Sequence, residues 1–217
     1  MSLDPRKPGR TIAEAISRSV EGRRGEAAAW ATALRQLGAM DRAAYEAVAE
    51  TPTPALDVPI RRLSNAANHS KVWLGIAAAL ALLGGRRGRT AALEGVVSIG
   101  VTSAAVNILA KSIAARARPN RAEPNLFPNR AVEMPGSSSF PSGHAASGFA
   151  FAHAVGRHLP VLAIPVRLLA GAVAYSRVHI GVHYPGDVAV GSMLGSGIAS
   201  IVASAGDRLG DRHRRIA

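Results

Sequence analysis

Five apolar stretches, at 72–85, 91–110, 145–156, 161–176 and 188–205, are separated by short polar breaks and dominate the 217 residues of this chain. They are apolar around most of their circumference, not along one stripe. A helix built that way must be buried in protein or in lipid. Only 91–110 and 188–205 approach the roughly 20 residues that a spanning helix needs; the other three have 12 to 16. Small residues are frequent in all of them. Gly191-x-x-x-Gly195 is a pattern that lets helices approach closely where water supplies no driving force. The expected fold is therefore all-α: an integral-membrane bundle of about five transmembrane helices, preceded by amphipathic or interfacial helices.

The flanking sequence divides accordingly. Residues 1–25 read as a polar, basic tail, 26–70 as interfacial helices, 71–206 as the bundle and 207–217 as a polar, net-basic tail. Thr51-Pro52-Thr53-Pro54 breaks the first helical stretch, because each proline drives its predecessor out of the helical region. Asp57 to Asn68 then alternates Val58, Ile60, Leu63 and Ala67 with Arg61, Arg62 and Asn65, the pattern of an interfacial helix. Gly84 to Arg89 reads as a basic turn, 120–140 as a polar loop, and His158-Leu159-Pro160 as a tight turn. No apolar core of a secretory signal follows Met1. The net charge of +12 invites nucleic acid, an anionic membrane or a phosphorylated substrate. Its basic residues lie between apolar runs without an aromatic-basic patch, so nucleic acid is not an expected partner. The chain has no cysteine.

Three segments carry the chemistry. Lys111 is followed after six residues by Arg118-Pro119; Pro141-Ser142-Gly143-His144 comes next; Ser176-Arg177 is followed after five residues by His183, and His183 after three by Asp187. Three fixed cations, two histidines and a carboxylate suit transfer of a phosphoryl group through histidine. Between His144 and Ser176 there is room for two helices of about 15 residues, each about 22 Å long at ~1.5 Å per residue. Such a hairpin returns the third segment to the face where the second begins, and all three can meet at one end of the bundle. His179, His183 and Asp187 are also spaced by four, as on a metal-binding helix face. Pro185 and Gly186 oppose a helix running through all three, and neighbouring cations would repel a divalent ion. No metal and no cofactor are expected.

Taken together, Lys-x6-Arg-Pro, Pro-Ser-Gly-His and Ser-Arg-x5-His-x3-Asp resemble the signature of the type 2 phosphatidic acid phosphatase (PAP2) superfamily over roughly residues 56–205. The resemblance implies a role for each residue. His183 is the nucleophile and becomes a phosphohistidine. Asp187 accepts the other ring N–H and fixes the tautomer. His144 protonates the leaving alkoxide and then activates water. Lys111, Arg118 and Arg177 hold the phosphoryl oxygens, helped by Ser142, Gly143 and the start of the helix behind them. Tyr184 and Phe140 are expected as pocket walls, and the 120–140 loop, through Arg121 and Arg130, as a lid or head-group reader.

The expected activity is metal-independent hydrolysis of a lipid phosphate in a multi-pass cell membrane protein. Phosphatidic acid, phosphatidylglycerol phosphate, a polyprenyl (di)phosphate and a phosphorylated prenyl-sugar all qualify; membrane lipids are the other expected partners. The alternatives are a soluble acid phosphatase or haloperoxidase-like bundle, and a non-catalytic scaffold that binds phospholipid. A basic leader on the same side as the site favours a cytoplasmic active site, while Arg86, Arg87, Arg89 and Arg157 on the other side oppose it under the positive-inside rule.

Overall fold

The computed structural model describes residues 12–110, 116–120 and 128–216, and among them every regular element is helical. The chain divides into two compact units, Met1–Ala43 and Ala44–Ala217. Helix α1 runs from Ile12 to Glu50, without interruption at Gly38. Within the first unit Trp30, Leu34 and Leu37 recur at helical spacing and all are exposed.

In the second unit, α2 (Pro54–Ala66) opens on a proline in its first turn, where the missing N–H costs nothing. A short 3₁₀ turn, Asn68–Ser70, then bends the chain by 63° into α3 (Lys71–Leu83). His69 and Ser70 at this bend have φ of 54° and 59°. Neither is glycine, so each carries a cost of roughly 1–2 kcal/mol for the left-handed region. The basic turn expected at 84–89 shrinks to Gly84. Arg86, Arg87 and Arg89 instead form the first turns of α4 (Gly85–Ala104), which continues as a π turn over Ala105–Ala110. Two long helices, α5 (Gly143–His158) and α6 (Pro160–His179), are joined through Leu159 alone, as the hairpin argument requires. Helix α7 (Pro185–Ile216) closes the bundle and extends through the segment read as a polar tail.

Helix α5 is the hub. Ala145, Ala146, Ala150, Phe151, Ala152, Ala154 and Val155 are completely buried, with α4, α6 and α7 around them. Small side chains allow this. A Cβ on Gly191 would lie 2.5 Å from the Ser142 carbonyl oxygen, and one on Gly195 2.0 Å from that of Ala146. The Gly191-x-x-x-Gly195 face of α7 thus rests directly on the α5 backbone. Trp73 from α3 fills the other side, 5.8 Å from the Phe151 ring. At the end of the bundle away from the start of α5, Arg157 and His158 both reach Glu94 of α4, and Arg157 reaches Asp207 of α7.

Among the described residues three helices are long and apolar enough to cross a membrane: Gly85–Ile108, Pro160–His179 and Pro185–Arg212. The bent pair Pro54–Ala66 with Asn68–Leu83 would make four. Leu82, Leu83, Val161, Leu168, Met193 and Ile201 project outward from α3, α6 and α7. Exposed apolar surface on that scale needs lipid or a partner. The protein is a helical membrane protein, which removes the soluble bundle from the alternatives.

The loop before α5 corrects one expectation. Arg130, in the 3₁₀ turn Pro128–Arg130, is buried and donates from Nε to Asp57 at 2.8 Å. Its Nη1 meets the Val48 and Ala49 carbonyls, and its Nη2 the Thr53 hydroxyl. Asp57 also receives the Thr53 hydroxyl and lies 3.0 Å from His179 Nε2. Arg130 therefore ties the loop to α2 and α6 and is not a head-group reader. Arg121 lies outside the described residues.

Candidate active site

The third motif owes its spacing to the turn between α6 and α7. Gly181 takes φ of 71°, and the N–H groups of Val182 and His183 both return to the Arg177 carbonyl, at 3.1 and 3.2 Å. This closed turn holds His183 over the end of α6. Helix α7 then starts at Pro185 with Asp187 in its first turn, where its carboxylate accepts the Tyr184 N–H at 2.9 Å. That is half of a capping box, and it satisfies an orphan N–H at the helix start.

Asp187 is completely buried and its partners are local and distant at once. Oδ2 accepts the Ser139 hydroxyl and lies 3.6 Å from His183 Nδ1. Oδ1 pairs with Arg116 at 2.8 Å, and the Arg116 guanidinium lies 4.0 Å above the Tyr184 ring. The 3.6 Å gap is just beyond hydrogen-bond length. The other face of the imidazole, Nε2, is 3.4 Å from Arg118 Nη1. Arg118 in turn donates to the Val182 carbonyl at 2.6 Å and, through Nε, to the Ser137 carbonyl at 3.0 Å.

Burial pushes the His183 pKa below its ordinary value. The positive charges of Arg118 and Arg177 push the same way, against the opposing pull of Asp187. The imidazole is thus held neutral in a cationic setting.

The second motif is locked to the third by the Ser142 N–H, which donates to the Asp187 carbonyl at 3.0 Å. Ser142 precedes α5, so Gly143 and His144 form its first turn and the helix N-terminus faces this cluster. Ser142 Oγ is buried and makes no hydrogen bond among the described residues. The first and second motifs are stitched together as well, by Ser139 N–H to the Arg116 carbonyl at 2.9 Å and Arg116 N–H to Ser138 Oγ at 3.1 Å. Arg177 is buried on the α2 side, donating to Ser64 Oγ at 2.7 Å. His144 Nε2 lies 2.9 Å from Asn68 Oδ1.

Of the residues expected at the site, His183, Asp187, Arg118 and the Ser142 backbone are in direct contact, and the charge of Arg177 reaches His183. His144 lies two residues beyond Ser142, in the first turn of α5. Lys111 lies outside the described residues. His179 turns away toward Asp57, so it shares no face with His183 and Asp187. Sequence reasoning missed Arg116, Ser139, Ser64 and Asn68.

The chain is similar to known proteins in sequence and in fold. The PAP2 superfamily model covers residues 91–210. Decaprenylphosphoryl-5-phosphoribose phosphatase of Mycobacterium tuberculosis is 46% identical over 79 residues, which are 35% of this chain and 41% of that protein. The chain thus spans about two fifths of the curated relative it matches. A PAP2-type phosphatidylglycerolphosphate phosphatase from Bacillus subtilis superposes with a TM-score of 0.61 at 23% identity, covering 80% of this chain and 87% of that one. Aquifex aeolicus LpxE superposes with a TM-score of 0.59 at 24% identity, over 74% of this chain and 92% of its own. With more than half its length under the family model, and with that fold, this chain belongs to the PAP2 superfamily.

Proposed function

We propose that this protein is a metal-independent phosphatase of the cell membrane that removes a phosphate monoester from a lipid. Prenyl-linked sugar phosphates are the favoured class, and the site is read as cytoplasmic. The observation that carries the reading is the buried His183, placed between the Asp187 carboxylate and the Arg118 guanidinium. A site that only bound phospholipid would need the cations alone. A neutral imidazole backed by a carboxylate is the equipment of a nucleophile.

In the first step His183 Nε2 attacks phosphorus, the P–N bond forms and the P–O bond to the lipid alkoxide breaks. His144 gives that alkoxide its proton. Asp187 holds the Nδ1 hydrogen and stabilises the imidazolium charge, which requires the 3.6 Å separation to close by several tenths of an ångström on binding. Arg118, Arg177 and, by its motif position, Lys111 hold the phosphoryl oxygens, where charge is stabilised without a metal. The buried Ser142 hydroxyl and the first N–H groups of α5 add hydrogen bonds. In the second step water attacks phosphorus, His144 takes the water proton, and the P–N bond breaks.

The substrate preference rests on the prenyl-phosphoribose phosphatase likeness. It is tested by phosphate release in detergent with EDTA present. The panel holds a phosphorylated prenyl-phosphosugar, phosphatidic acid and phosphatidylglycerol phosphate. Turnover is expected on all, is highest on the first and is blocked by vanadate. No release from any lipid phosphate would remove the proposal. The depressed His183 pKa adds a pH prediction. Falling pH protonates and disarms the nucleophile, so the acid limb of kcat/KM should lie below the ordinary imidazole value of about 6.5. An acid limb above pH ~7 would contradict it.

A further inference from the structure

The segment between residues 54 and 70 lies wholly outside the matched family region, which begins at residue 91, yet two of its side chains hold site residues. Ser64 Oγ accepts from Arg177, and Asn68 Oδ1 lies 2.9 Å from His144 Nε2. Asn68 is presented by the bend in which His69 and Ser70 adopt left-handed backbone angles that L residues rarely take. Such outliers persist where the surrounding structure has a use for them. Here the bend ends α2 and turns Asn68 inward onto the first turn of α5.

The chemistry of that contact is specific. An amide oxygen only accepts, so a hydrogen bond at 2.9 Å requires the hydrogen on His144 Nε2. The neutral ring then carries its lone pair on Nδ1, and the protonated ring carries a second, transferable hydrogen there. The second ring nitrogen of a histidine acid or base is commonly held in this way, which decides the tautomer and the ring orientation.

We propose that Asn68 is a positioning residue for His144, reserving Nδ1 for both proton transfers. In the first step Nδ1–H delivers its proton to the lipid alkoxide as the P–O bond breaks. In the second, the Nδ1 lone pair accepts a proton from water as water oxygen bonds to phosphorus and the His183 P–N bond breaks. Nε2 keeps its hydrogen, donated to Asn68, throughout. The proposal rests on the phosphatase reading above and adds to it a residue that the family motifs do not contain.

The test compares kcat/KM for two phosphate monoesters, a lipid phosphate with an alkoxide leaving group and p-nitrophenyl phosphate. An alkoxide needs an acid to leave; p-nitrophenolate does not. Asn68→Ala should lower the rate on the lipid phosphate by about 10–100-fold, a fraction of what a general acid contributes, and the rate on the aryl phosphate by less than about 3-fold. The ratio of the two rates does not depend on how much of the variant is folded. Asn68→Asp, whose carboxylate can still accept from Nε2–H, should restore most of the alkyl rate. Adding Asn68→Ala to His144→Ala should cost nothing further, because both act through one ring.

An equal loss on both esters, no loss on either, or independent additive losses in the double variant would overturn the role of Asn68. The phosphatase reading would still stand if His144→Ala alone showed the selective loss. A wild-type protein that hydrolyses neither ester would overturn both.

Discussion

His183→Ala is expected to lower lipid-phosphate turnover by at least about 10⁴-fold, the scale seen when the nucleophile of a coupled catalytic group is removed. Neither Asp187 nor His179 can substitute for it. Asp187 is buried under Arg116, Ser139 and the Tyr184 N–H, with its oxygens committed. His179 is bound to Asp57 on α2. The cations remain in the variant, so vanadate should still bind while turnover is lost. Loss of vanadate binding together with turnover would mean that the alanine had collapsed the pocket. Retained turnover would mean that phosphorus never passes through this ring. Phosphate release and vanadate titration on the same detergent-solubilised sample separate these outcomes.

Gly195→Ala should disable the protein by another route. The added Cβ would lie 2.0 Å from the Ala146 carbonyl oxygen, with the Ala146 carbonyl carbon at 2.7 Å. Both are backbone atoms of α5, so no side chain can rotate out of the way and α5 must separate from α7. Overpacking of this kind costs roughly 1–3 kcal/mol, and backbone obstruction belongs at the upper end. In a chain of this size that corresponds to an apparent Tm lower by roughly 4–10 °C. Activity should fall further than stability, because α5 begins with Ser142 and His144 while α7 begins with Asp187. A displacement of about 1 Å between such groups can cost about 10²-fold. Gly197→Ala is the control: a Cβ there meets nothing within 4 Å, so activity should stay at the wild-type value and Tm should not fall, rising by up to about 2–4 °C from the helix preference for alanine. Equal behaviour of the two variants in thermal melts would refute the close α5–α7 contact.

The bundle was legible because its signals are local. Each of the five apolar runs became a helix, and the two that joined through His158-Leu159-Pro160 formed the expected hairpin. Two of the short runs gained length by recruiting polar flanks, 145–156 becoming Gly143–His158 and 161–176 becoming Pro160–His179. Gly38 did not break α1, since a single glycine costs only about 1 kcal/mol against alanine in a helix that is otherwise rich in good formers. The third motif was readable because one turn, closed onto the Arg177 carbonyl, sets its spacing. The missed residues act across long separations. Arg116 sits inside the six-residue gap between Lys111 and Arg118, and nothing adjacent marks it as the partner of Asp187. Asn68 and Ser64 look like the polar face of an interfacial helix until α2 is seen against α6 and the Asn68–Ser70 turn against α5. Arg130 resembled a loop cation for the reason that its partner, Asp57, is 73 residues away.

The most direct measurement is a rapid quench during turnover of a lipid labelled in its terminal phosphate, followed by peptide mapping. The label should appear on His183 as an acid-labile, base-stable phosphoramidate, and should vanish as phosphate is released. Single turnovers with no label on the protein, or label carried by any other residue, would contradict phosphoryl transfer through His183.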